Sequence, residues 1–135
     1  MSVFDGVKLG DFTLHSGGSS PVLFDVPAML ELNRDRKYIQ DILISRMPNV
    51  TFHAIVGIEF GGGLLAMLLA EWFQDKRLGF YRKDGGLTLK FPNEKIVLVD
   101  DVVTTGSSIA EARLALAAAG HEVISVISFI NRKAL

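Results

Sequence analysis

The sequence predicts an α/β fold with a mainly parallel central sheet flanked by helices. Three observations carry this. Short apolar runs rich in Val, Ile and Phe alternate along the chain with longer segments of helical spacing. One run, "IVLV" at residues 96–99, is apolar at every position, as expected of a central strand covered on both faces. Finally, it ends in two carboxylates and a hydroxyl-rich turn leading into an alanine-rich helix. Strand and helix in alternation imply right-handed crossovers and a parallel sheet, and in such sheets ligands sit beyond the carboxyl ends of the strands.

The elements follow in order. "VLFDV" (Val22 to Val26) has strand composition. From Asn33 to Met47, Tyr38 with Ile42 and Ile39 with Leu43 and Met47 recur at helical spacing. "HAIVG" (His53 to Gly57) is a second strand and Gly62 to Lys76 a mostly apolar helix. "LGFYR" (Leu78 to Arg82) is a third strand, and the alternating "LTLKF" reads as another with Lys90 outward. "KIVLVD" (Lys95 to Asp100) precedes a helix from Ser107 to Ala119, which Gly120 is suited to terminate. "EVISVISFI" (Glu122 to Ile130) is the last strand. No repeat, low-complexity tract or linker interrupts the chain, so residues 1–135 read as a single domain.

Composition excludes several function classes. With 14 basic and 15 acidic residues intermixed, no polybasic patch points to nucleic acid. The longest apolar run, Gly61 to Ala70, stops at Glu71 and is half the length of a membrane span. The opening "MSVFDGVKLGDF" lacks a basic region followed by an apolar one, so no signal peptide is expected. Zero cysteines exclude disulfides, zinc-thiolate sites and thiol catalysis, and a cytoplasmic location is expected. His53 and His121 stand at strand starts without metal-ligand spacing and read as structural.

The chemistry concentrates in "IVLVDDVVTTGSS" (Ile96 to Ser108). Thr104, Thr105, Gly106, Ser107 and Ser108 offer backbone amides, hydroxyls and the positive end of a helix dipole, a phosphate cradle without a lysine. Asp100 and Asp101 would repel that phosphate; they suit hydroxyls, a metal ion or a developing positive charge. A phosphorylated ribose meets both demands. The alternative is a strand ending in acids with Thr or Ser as helix N-cap. A second glycine loop, "VGIEFGGG" (Val56 to Gly63), lacks the Lys-Ser or Lys-Thr of a Walker A loop and the dinucleotide spacing. Tight helix–sheet packing explains its glycines as well as ligand binding does.

"VLVDDVVTTGSS" closely resembles the phosphoribosyl pyrophosphate (PRPP) signature of the type I phosphoribosyltransferases. The resemblance implies that Asp100 and Asp101 face the ribose hydroxyls, that Thr104 to Ser108 hold the 5-phosphate, and that Ile58, Glu59, Phe60, Gly61 and Gly62 hold pyrophosphate through backbone amides, often with a strained peptide bond. Mg²⁺ would bridge ligand oxygens, with no certain direct protein ligand. "GDFTLHSGGSSPVLFD" (Gly10 to Asp25) resembles the N-terminal segment of the orotate phosphoribosyltransferases, "GFYRKDGG" their Arg-Lys segment, and "FINRK" the stretch whose arginine clamps the orotate carboxylate. His15, Phe24 and Arg132 thereby become base-binding candidates, Arg82 and Lys83 pyrophosphate-binding ones, and Lys83 a catalytic one beside Asp100 and Asp101. Arg82 and Lys83 also suit a solvated pair at a strand end, and His15 a surface histidine.

The implied fold is that of a type I phosphoribosyltransferase with a reduced hood and a shortened catalytic loop. His15 replaces a base-contacting lysine, "RKDGGLTLKF" lacks the family's further lysine and histidine, and the chain stops soon after Arg132. The expected activity is Mg²⁺-dependent transfer of ribose 5-phosphate from PRPP to orotate by a cytoplasmic homodimer. Alternatives are a purine (adenine-type) phosphoribosyltransferase, which the "GIEFGG" loop also resembles, and a non-catalytic PRPP-binding sensor.

Overall fold

The computed structural model describes residues 7–13, 19–103 and 106–131. An antiparallel pair, β1 (Val7–Thr13) and β2 (Ser19–Phe24), forms a small sheet of its own. Helices α1 (Val26–Met29) and α2 (Asn33–Ser45) follow. Then come β3 (Ala54–Ile58), α3 (Glu59–Ala70), β4 (Arg77–Arg82), β5 (Gly86–Leu87), β6 (Lys95–Val103), α4 (Ser107–Ala118) and β7 (Glu122–Asn131). The main sheet has five strands in the order β5-β4-β3-β6-β7. All neighbours are parallel except the short β5, which returns antiparallel on β4.

Pleating sends alternate residues of the central strands to opposite layers. Ile55 of β3, with Val97 and Val99 of β6, joins Met29, Ile39, Leu43, Leu65 and Leu69 in a core under α1, α2 and α3. Ala54, Val56, Ile58, Ile96 and Leu98 meet Ala112 and Leu116 of α4 in a second core. Helices therefore cover both faces, and Ile96 to Val99 are wholly buried, as a run apolar at every position requires.

Several boundaries differ from the sequence expectation. The strand expected at Val22 to Val26 ends at Phe24, because Asp25 caps α1: its Oδ1 accepts from the Ala28 amide at 3.3 Å, with Pro27 in the first turn. Helix α2 stops at Ser45 rather than Met47, closed by three-residue turns from Arg46 to Leu43 and from Met47 to Ile44. Helix α3 begins three residues earlier than expected and ends at Ala70, not Lys76. The expected "LTLKF" strand shrinks to Gly86–Leu87, although Thr88 still bonds Phe80 through both its amide and its hydroxyl. Gly120, at φ 88°, follows the end of α4 as expected of a C-terminal cap.

At the amino end of β6 both histidines are structural. His121 Nδ1 accepts from the Glu94 amide at 3.1 Å, and His53 Nδ1 from the Lys95 amide at 3.0 Å. Arg77 neutralises the buried Glu94 at 2.6 Å.

Candidate active site

Strand β6 was expected to stop at Asp100, but it runs on to Val103. Its register with β3 ends at Val99, opposite Gly57, whereas its ladder with β7 continues to Asn131. Asp100 and Asp101 thus sit just where β3 leaves the sheet and turns into α3, a strand end with one neighbour gone. This is the kind of crevice in which open α/β sheets receive ligands.

The pleat separates the two carboxylates. Asp100 follows Ile96 and Leu98 onto the α4 side and is 6% exposed. Asp101 follows Val97 and Val99 onto the α3 side, where its carboxylate occupies the space a Cβ on Gly61 would need. Oδ1 of Asp100 accepts from the Asp101 amide at 2.9 Å, and Oδ1 of Asp101 from the Val102 amide at 2.8 Å. Burial raises the Asp100 carboxyl from 3.8 to about 8, and the charges of Asp101 and, to a smaller extent, Glu59 push the same way. Burial and the neighbouring charges therefore favour the protonated form of the Asp100 carboxyl, with the titration belonging to the coupled pair.

The second glycine loop is built by close packing. A Cβ on Gly57 would lie 2.5 Å from Gly62 O, and one on Gly62 would lie 2.6 Å from Val99 O. These glycines draw the start of α3 down onto β3 and β6, and so bring its amides to the end of the carboxylate-bearing strand. Glu59 makes the corner with φ 55°, a left-handed torsion that costs a non-glycine residue roughly 1–2 kcal/mol. The described peptide bonds are all trans, so the strained feature of this loop is the Glu59 φ torsion.

A cleft of about 250 Å³ lies between this corner and α4, lined by Ile58, Glu59, Tyr81, Lys83, Ser107, Ser108 and Glu111. Five candidates from the sequence, Ile58, Glu59, Lys83, Ser107 and Ser108, therefore meet around one space, on the side of β6 to which Asp100 belongs. Gly106, at φ 85°, occupies the N-cap of α4 that a Thr or Ser was the alternative candidate to fill. Having no side chain, it cannot cap the first turn in the usual way, which suits a helix start that receives an anion. Lys83 carries two contacts: its amide donates to Glu59 Oε2 at 3.2 Å, and its ammonium lies 3.5 Å from Glu111 Oε1.

Other candidates stand apart. Arg82 pairs with Asp84 at 3.7 Å in its own turn and does not line the cleft. Phe60 is exposed, and Gly61 and Gly62 serve the α3 packing. His15, Thr104, Thr105 and Arg132 lie outside the described residues, and for Phe24 the backbone alone is described, at the end of β2. Sequence reasoning missed Tyr81 and Glu111. Glu111 is four residues past Ser107 on α4, one helical turn, a spacing that could have placed it beside the serines.

No family model matches the chain. Orotate phosphoribosyltransferase of Archaeoglobus fulgidus is 28% identical over 134 residues, 94% of this chain and 75% of that protein. Orotate phosphoribosyltransferase of Pyrobaculum calidifontis is 31% identical over 135 residues, covering 94% of this chain and 70% of the relative. The chain belongs to the orotate phosphoribosyltransferases. It is accordingly an enzyme of the pentosyltransferase kind. The Aeropyrum pernix orotate phosphoribosyltransferase structure superposes with TM-score 0.79 at 26% identity, over 96% of this chain and 90% of that one. Leishmania donovani UMP synthase, at 24% identity and TM-score 0.81, shares the fold across 95% of this chain and 29% of that larger one. An adenine phosphoribosyltransferase of Thermoanaerobacter pseudethanolicus, at 18% identity and TM-score 0.73 over 91% of this chain and 83% of that one, shows the same fold and nothing further. The type I phosphoribosyltransferase architecture expected from the PRPP-like signature is thus the one observed. Among the described residues, no helix is long and apolar enough to cross a membrane.

Proposed function

We propose that this phosphoribosyltransferase transfers ribose 5-phosphate from PRPP to orotate, giving orotidine 5′-monophosphate and pyrophosphate. One observation carries the reading: the carboxylates of the PRPP-like signature stand where β3 leaves the sheet, and the signature's serines share a cleft with the second glycine loop and Lys83. The named relatives supply the choice of base.

In this reading Thr104 to Ser108 hold the 5-phosphate at the start of α4, and the Ile58–Gly62 corner takes the pyrophosphate. Asp100, protonated at rest, positions a ribose hydroxyl. Asp101, near the amino end of α3, supplies negative charge as C1 gains oxocarbenium character. At 4 Å and an effective dielectric of 20 such an interaction is worth about 4 kcal/mol, enough to matter without a covalent step. Lys83 neutralises the leaving group, while His15, Phe24 and Arg132 contact the base; an arginine fork suits a planar carboxylate.

The donor set fits Mg²⁺ only in one manner. Carboxylate oxygens suit a hard cation, yet no three His, Asp or Glu among the described residues are arranged to hold one, so the ligand's own oxygens would be its principal partners. When bound, Mg²⁺ supplies charge neutralisation on the departing pyrophosphate. A homodimer is part of the proposal: Arg82, turned from its own cleft toward Asp84, is available to a neighbouring subunit. Sedimentation velocity tests this, a monomer at working concentration being the contrary result. A cytoplasmic location completes the reading.

The deciding experiment is pyrophosphate release from PRPP and Mg²⁺ with orotate, adenine, guanine, hypoxanthine or uracil against no base. Release with orotate alone is expected. Release with adenine instead would reassign the base, and silence with every base would sink the proposal.

A further inference from the structure

The acidic side chain of Glu59 is out of place on the rim of a pyrophosphate site. Its charge opposes the anion, and its left-handed φ of 55° would suit glycine better. A glycine here would be both unstrained and neutral. What glutamate adds is a carboxylate that accepts the Lys83 amide at 3.2 Å, joining the β3–α3 corner to the β4–β5 turn across 24 residues of sequence. The ladder does not do this work: β4 ends at Arg82, paired with Gly86, and residues 83–85 between are exposed. Glu59 and Lys83 also line the same cleft.

We propose that Glu59 is a positioning residue, whose carboxylate latches the backbone of Lys83 to the pyrophosphate corner so that the lysine stands over the leaving group. The proposal rests on the reading of the Ile58–Gly62 corner given above. Glu59 acts through Lys83 rather than on the substrate. The strained torsion is then explained as well, since a left-handed non-glycine residue at a ligand site persists when other contacts hold it. The carboxylate-to-amide bond is charge-assisted in kind, although at 3.2 Å and exposed to solvent it is a long example of it.

The test uses the full chain with Glu59→Gly, which relieves the torsion but removes the acceptor, and Glu59→Gln, which keeps an acceptor oxygen without the charge. The readouts are calorimetric binding of inorganic pyrophosphate with Mg²⁺, the KM for pyrophosphate against that for orotidine 5′-monophosphate in the reverse reaction, and hydrogen exchange of the residue 83 amide. Expected for Glu59→Gly is a loss on the order of tenfold in pyrophosphate affinity, with the nucleotide KM little changed and the amide exchanging faster. Glu59→Gln restores most of both. Should the glycine variant loosen the whole corner, Glu59→Asn takes its place, because asparagine tolerates positive φ and its side chain is too short to reach Lys83. Wild-type binding of pyrophosphate together with unchanged affinity and amide protection in Glu59→Gly and Glu59→Asn would overturn the latch alone. Failure of the wild type to bind pyrophosphate would overturn the latch and the site reading together.

Discussion

Replacing Asp100 with asparagine should stabilise the ligand-free protein, by an amount that grows with pH. In the fold the carboxyl titrates near 8, raised chiefly by burial and then by Asp101; in the unfolded chain it reverts to 3.8. A folded pKa above the unfolded one means that the native state binds the extra proton. Its stabilising effect is complete below the unfolded value and is lost as pH rises through the folded one. Between these limits the slope is about 1.4 kcal/mol per pH unit for one proton, or roughly 3–4 kcal/mol between pH 4 and pH 7. An amide at position 100 does not titrate and removes this slope. Urea unfolding of both proteins at pH 5, 6 and 7 isolates the effect, because other titrating groups largely cancel in the difference. A wild-type-minus-variant difference that stays flat across this range would refute the assignment of the buried proton to the Asp100–Asp101 pair. The same variant should lose turnover, so stability and activity are expected to move in opposite directions.

Asp101→Asn should lower PRPP-dependent turnover on the order of 10²-fold with little change in urea midpoint; wild-type turnover would remove Asp101 from the mechanism. Lys83→Ala should raise the KM for pyrophosphate in the reverse reaction, on the order of tenfold, and an unchanged value would detach the lysine from the leaving group. Gly62→Ala places a methyl 2.6 Å from Val99 O and should cost about 1–3 kcal/mol in urea unfolding. Gly120→Ala forces φ 88° on an L side chain, and a melting experiment should register a loss of about 1–2 kcal/mol.

The parts of this fold legible in the sequence are those where one physical signal acts alone. Ile96 to Val99 had to be a buried central strand because no polar residue interrupts them, and Gly120 marked a helix end because little else adopts its torsion cheaply. The illegible parts are those where signals compete. Helix α3 starts inside "GIEFGGG", where glycine opposes helix formation and packing against β3 and β6 overrides it. Strand β6 passes through Asp100 and Asp101 because β7 continues to pair with it after β3 has left, information that resides in a distant stretch of chain. Strand β1 carries no strong apolar alternation, and its partner β2 was credited with residues that α1 takes.

In the proposed reading, packing and ligand binding are not exclusive explanations of the second glycine loop. Packing demands Gly57 and Gly62, since a Cβ at either would strike backbone. Yet that same close approach lays the amino end of α3 against β6 and sets Asp101 over Gly61. In the proposed reading, a wider helix–sheet spacing would move the corner assigned to pyrophosphate away from the carboxylates assigned to ribose, and a ligand bearing both groups could no longer span them. In that reading the glycines act on function through packing. Gly62→Ala discriminates this from direct binding: if packing transmits the effect, pyrophosphate affinity and stability fall together, whereas loss of affinity at unchanged stability would show that the ligand itself occupies the space the added methyl takes.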